Sequence, residues 1–186
     1  MKTLVIHPKD SSTDFLKPIY QHLPDTTVVT GGVFKDEIID LIMQHDRVIM
    51  LGHGTPYGLL AMDQFPGHSW NIIDHNMVLF LRRTENIFIW CNADQFVKRH
   101  QLKGLYSGMF ISEVVEAIYC KVETTQDQVD TSNHLFSYLL GAQLMINPDL
   151  DRAYQIVGSQ YSILSESNKV IGYNSERWFI LSLIHI

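Results

Sequence analysis

Apolar positions in the first half of the chain recur with two alternating periods. Thr3 to His7 is a short continuous apolar run, and after a Ser11-Ser12-Thr13 capping region Phe15, Leu16, Ile19, Tyr20 and Leu23 return at helical spacing. Pro18 sits inside that helix, where its ring fits without strain only near the first turn. Thr26 to Thr30 forms a second, β-branched run closed by Gly31-Gly32. Phe34, Ile38, Leu41 and Ile42 then mark a second helix, and Arg47 to Leu51 a third strand. Tyr57 to Met62 and the region around Trp70 to Ile73 read as a small hairpin excursion punctuated by Pro66-Gly67. Met77 to Leu81 predicts a third helix, Asn86 to Trp90 a fourth strand ending on Cys91, and Ala93 to His100 another helix. Gly108 to Ile111 is expected as a fifth strand and Glu113 to Tyr119 as a short helix.

Two longer helices follow. Val129, Leu135, Phe136, Leu139, Leu140 and Leu144 share one face, as do Leu150, Ala153, Tyr154 and Val157. The pattern weakens from about Ser162, where Val170 to Tyr173 and Phe179 to Leu183 read as strands or a docking tail. Alternating strands and helices predict an α/β fold: a three-layer sandwich with a mostly parallel sheet of about six strands and helices on both faces. A single domain over residues 1–186 is expected, with its core in 3–160 and the strands or tail in 161–186.

Composition narrows the function classes. At 186 residues and 46% hydrophobic content the chain can build one full core, and its net charge of -6 with no block of like charges lacks a nucleic-acid footprint. The amino-terminal apolar run breaks at His7-Pro8, too short for a signal peptide, and no stretch is long enough to span a bilayer. With only two cysteines, Cys91 and Cys120, a disulfide framework is not indicated. The expected location is the cytoplasm, the expected partner a peptide or protein substrate. The apolar segment Trp178 to Leu181 reads as a last strand or as a contact with a second copy of the chain.

In such a sheet a ligand lies outside the carboxyl ends of the strands. Val48-Ile49-Met50-Leu51 runs into Gly52-His53-Gly54, and Cys91 lies 38 residues further on, one crossover away. Neighbouring strands would bring His53 and Cys91 to one edge, the geometry of a thiol nucleophile beside an imidazole general acid and base. Gly54, without a Cβ, can bring its N–H close to a developing oxyanion, with the Cys91 N–H as second donor.

The segments Leu51-Gly52-His53-Gly54-Thr55-Pro56-Tyr57-Gly58 and Ile87-Phe88-Ile89-Trp90-Cys91-Asn92-Ala93-Asp94 resemble the caspase-like cysteine peptidases, which include caspases, legumains, gingipains and bacterial CHAT domains. In that family one apolar strand ends in His-Gly and the next in the nucleophilic cysteine. Gly58 to Met62 is similar to the hairpin that follows His-Gly, and Ser107 to Gly141 looks like the corresponding part of CHAT domains. The resemblance implies a caspase-like topology and a cysteine endopeptidase with His53 and Cys91 as dyad, without cofactor or metal. The chain departs from it in the bulky Trp90 before the cysteine and Asn92-Ala93-Asp94 after it.

Asp10, Asp63 and Asp94 are candidates for binding a basic substrate side chain, and Asn92 joins them by its position beside the cysteine; each also reads as a surface or capping residue. Two other readings compete with the peptidase. One is an inactive scaffold that keeps the fold as a binding module. The other is a chelatase-like metal enzyme in which His7, His53, His68 and His75 converge, although no local metal-binding spacing occurs. His22, His45, His100 and His134 read as solvated, and Cys120 as a core residue.

Overall fold

In a computed structural model, which describes residues 1–67 and 70–182, the chain divides into two compact units. Of the described residues, the first comprises 1–14, 24–67, 70–108 and 179–182; the second comprises 15–23 and 109–178.

The first unit is built on a six-stranded sheet of β1 (Thr3–Ile6), β2 (Thr26–Val29), β3 (Arg47–Leu51), β7 (Glu85–Ile89), β8 (Gly104–Ser107) and β9 (Trp178–Leu181, of which 179–181 belong to this unit), in the order β2-β1-β3-β7-β8-β9. The first five strands in that order are parallel to their neighbours. Their near-continuous apolar sequences follow from burial on both faces, as parallel sheets require. Leu4, Ile6, Val48, Met50, Phe88 and Trp90 belong to a core shared with Ile38 and Ile42 of α1 (Lys35–Met43) and Phe96 and Val97 of α3 (Ala93–His100). The intervening Val5, Ile49, Leu51, Ile87, Ile89 and Leu105 are buried as well. The predicted α/β class with a mostly parallel six-stranded sheet is therefore the fold observed. The short helix α2 (Val78–Leu81) precedes β7, preceded by a 3-10 turn at His75–Met77.

A second sheet, β4 (Gly54–Thr55), β5 (Gly58–Leu60) and β6 (Asn71–Ile73), is antiparallel and matches the expected hairpin excursion. Because β2 and β3 flank β1 on opposite sides, the connections leaving β1 and β2 diverge in the sheet. Such a switch point opens a crevice at the carboxyl ends of β1 and β3.

The second unit contains α4 (Val114–Tyr119), α5 (Gln126–Ile146), α6 (Leu150–Ser162) and α7 (Lys169–Ser175). Thr125, Asp149 and Asn168 cap the last three helices through their side-chain oxygens. Ser132, Tyr161 and Asn174 form a buried network, Ser132 Oγ lying 2.7 Å from the Tyr161 hydroxyl and Asn174 Nδ2 donating to the Ile111 carbonyl at 2.9 Å.

Three local expectations change. Val170 to Tyr173 is helical rather than extended, because Asn168 accepts from the Val170 and Ile171 N–H groups and starts a helix there. The strand expected at 108–111 lies at Gly104–Ser107, paired in register with Ile87 and Phe88. Residues 11–19 form a 3-10 helix with Pro18 inside its final turn. Phe179 of the expected last strand rests on Tyr106 at 5.5 Å between ring centroids, while 183–186 lie outside the described residues. Among the described residues no helix is long and apolar enough to cross a membrane.

Candidate active site

Strand β3 ends at Leu51 and β7 at Ile89, and these two residues pair in a parallel register. His53 and Cys91 therefore each follow their paired strand end by two residues, on adjacent strands and at one edge of the sheet. The Gly52 N–H donates to the Ile89 carbonyl at 3.1 Å and continues the pairing to the threshold of the histidine. Gly52 adopts φ +134°, a conformation that L side chains rarely take.

The second glycine has a steric reason. A Cβ on Gly54 would lie 2.0 Å from Cδ1 and 2.4 Å from Cγ of Trp90. The indole fills that space, and its Nε1–H donates to the Thr55 carbonyl at 3.1 Å. Trp90 is 2% exposed and packs edge-on against Phe88 at 5.5 Å. The residue that departs most from the resemblance thus faces the core and clasps the His-Gly strand to the cysteine strand.

Gly54 also has a backbone consequence. The Leu60 N–H donates to the His53 carbonyl at 2.9 Å, so His53 and Leu60 form a hydrogen-bonded pair, and Gly54 opposite Leu59 is the next, non-hydrogen-bonded pair. The Gly54 N–H consequently points away from β5, at the outer edge of the small sheet.

The loop after β1 supplies the other half of the crevice. Asp10 Oδ1 accepts from the Ser12 N–H at 2.9 Å and from the Ser12 hydroxyl at 2.7 Å. The same hydroxyl lies 2.7 Å from His53 Nε2, and Asp10 Oδ2 lies 4.0 Å from that nitrogen. The hydrogen bonds from the Ser12 hydroxyl and N–H hold the Asp10 carboxyl below its ordinary range despite partial burial, with His53 and His7 acting in the same direction. An ionised carboxylate only accepts, so the single Ser12 proton goes to Asp10. His53 Nε2 must then carry the hydrogen that faces Ser12, which makes Nδ1 the basic atom of the neutral ring.

Ser12 is the residue that sequence reasoning missed. Asp-Ser-Ser after a strand signals an Asx turn, in which a carboxylate accepts from the backbone two residues on, and that much is legible. That the turn's hydroxyl meets a histidine 41 positions away is not.

The remaining candidates separate. Asn92 stands at φ +67°, the left-handed turn between β7 and α3 that asparagine tolerates, and its N–H donates to the Gly108 carbonyl at 3.2 Å. Asp94 accepts from Lys98 at 3.0 Å within the first turn of α3. Asp63 lies on the hairpin bonded to His53, at φ +56° after Met62 at φ +50°. His7 is 3% exposed and bonds Thr13 Oγ1 at 3.0 Å, separately from His53. His68 of the convergent-histidine reading lies outside the described residues. Among the described residues no three His, Cys, Asp or Glu side chains gather in an arrangement that would hold a metal ion. His100, expected to be solvated, instead packs edge-on against Phe96 at 4.8 Å.

No protein-family model matches this chain, and none of the curated proteins does. Among solved structures it is similar to the Trp repressor binding protein from Bacillus subtilis, at 9% identity and a TM-score of 0.37, over 72% of this chain and 97% of the other.

Proposed function

We propose that this chain is a cysteine endopeptidase in which Cys91 is the nucleophile and His53 the general acid and base. The observation that carries this reading is the in-register pairing of β3 and β7, which brings the two residues to neighbouring strand ends. The engagement of His53 Nε2 by Ser12 supports it, because it leaves Nδ1 as the atom for proton exchange.

In the proposed reaction the Cys91 S–H proton passes to His53 Nδ1, and the thiolate attacks the scissile carbonyl carbon. The carbonyl oxygen becomes an oxyanion that the Gly54 N–H can receive. His53 returns its proton to the departing amine, the carbon–nitrogen bond breaks, and a thioester remains. Water then adds to the thioester, giving its proton to His53, and the acid product leaves as the thiol is restored. Asp10 and Ser12 are positioning residues that fix the histidine tautomer. A thiol nucleophile is preserved by a reducing cytoplasm, the compartment that this reading assigns.

Iodoacetamide labelling tests the thiol directly, with Cys120 as internal comparator. Cys120 receives a hydrogen bond from the Tyr173 hydroxyl at 3.2 Å. Cys91 is expected to be alkylated first, and His53→Ala to slow that labelling by ~100-fold, the lower end for loss of a positioned base. Equal, slow labelling of both thiols overturns the reading and leaves a non-catalytic binding module.

A further inference from the structure

The hairpin that bears His53 also forms a pocket of about 290 Å3, lined by Leu60, Ala61, Met62, Asp63 and Trp70. We propose that this pocket binds the cationic side chain, arginine or lysine, of a peptide; its role in substrate selection rests on the peptidase reading above, whereas its binding of a cation does not.

Its position ties it to the site. Leu60 is hydrogen-bonded through its N–H to the His53 carbonyl, and the Ala61 N–H donates to the Trp70 carbonyl at 3.0 Å. Leu60 and Ala61 therefore form a floor whose two neighbours are the histidine strand and the tryptophan. Between them the chain turns through Met62 and Asp63, and the Gln64 N–H closes the turn on the Ala61 carbonyl at 3.0 Å.

The chemistry of the lining selects the ligand. Trp70 is 78% exposed, whereas Trp90 and Trp178 are 2% and 4% exposed and committed to packing. Indole is the side chain that binds cations best through its ring face, and a carboxylate beside it adds a charge-assisted acceptor. Three other rings carry one of the protein's own cations: Arg99 lies 5.1 Å from the Tyr57 ring centroid, Lys98 5.1 Å from Phe179 and Arg177 3.4 Å from Tyr173. Among the described residues Trp70 has no such cation, and Asp63 has no ion-pair partner. An apolar floor, an open indole face and an unneutralised carboxylate fit an aliphatic stem that ends in a positive charge. The net charge of -6 favours its approach.

The buried state of the other two indoles makes the test direct, since solvent-exposed tryptophan emission reports Trp70. The full chain is titrated with N-acetyl-arginine amide and, in parallel, with the neutral isostere N-acetyl-citrulline amide, while that emission is followed. Saturable change with the arginine compound, at least ~10-fold tighter than with citrulline, is expected, and Asp63→Asn should abolish that preference with the circular dichroism spectrum unchanged. Equal response to both compounds, no saturable response, or an Asp63→Asn protein that retains the preference overturns the proposal. Cleavage assays separate the two readings. Turnover of peptides irrespective of basic residues sinks the pocket's role in selection and leaves the peptidase. Arginine binding with no turnover and no preferential Cys91 labelling sinks the peptidase and leaves the cation pocket.

Discussion

His53 is held by three neighbours with three different physical roles. Gly52 supplies a backbone conformation, Gly54 supplies the volume that Trp90 occupies, and Ser12 supplies an acceptor for Nε2. The steric role makes a sharp prediction. Gly54→Ala forces a Cβ into the indole and is expected to cost about 1–3 kcal/mol, the usual range for overpacking a well-filled site. Trp90→Ala alone is expected to cost about 3–5 kcal/mol through the cavity it leaves. Because Trp90→Ala removes the Cγ and Cδ1 atoms that the new Cβ would strike, the double variant should lose at least ~1 kcal/mol less than the two single losses combined. Urea unfolding of the four proteins measures this, and strict additivity would show that the two residues do not compete for one volume. Asp10 gives the site an acid limit: its depressed carboxyl contributes stability that is complete above the ordinary carboxylate range and is lost as the pH falls through its folded-state value.

At the scale of elements, α3 carries an independent pH signal. Burial lowers the pKa of His100, at the end of that helix, and nearby Arg99, His75 and Arg82 push in the same direction. A histidine with a depressed folded-state value stabilises the protein fully above its unfolded pKa of about 6.5, and that contribution is lost as the pH falls below it. The urea midpoint should therefore drop between about pH 7.5 and about pH 5.5, and drop less in His100→Gln; parallel behaviour of the two proteins would exclude His100 as the source. Element types were legible wherever periodicity was strong. Arg47–Leu51 is a strand with the bounds its apolar run implies, and Ala93–His100 is the helix expected after the cysteine. Legibility failed where polar residues decide. Ser132, Asn133 and Ser137 are buried on α5 beside Phe136 and Leu140, so a face drawn from apolar positions alone is incomplete. Asn168, a capping side chain, turned a β-branched stretch into α7.

For the molecule as a whole, charge and topology act together. An acidic chain attracts cationic ligands over distances comparable to the Debye length, about 10 Å at 0.1 M salt. Proteolysis of arginine-containing peptides, on the readings above, should slow as salt rises, mainly through KM, while cleavage of neutral peptides stays level; an identical response of both substrates would remove long-range attraction from the account. The alternation of apolar runs was enough to determine an α/β chain with a parallel sheet, because a strand buried on both faces and a crossover helix leave distinct periods in the sequence. It also determined that Gly-His-Gly and Cys91 follow apolar strands. Only the tertiary structure decided that those strands are adjacent and in register, that Ser12 and Asp10 reach His53, and that Trp90 turns into the core and requires Gly54. Such contacts join residues tens of positions apart, and a one-residue change of register or a different strand order would dissolve them without altering any local pattern.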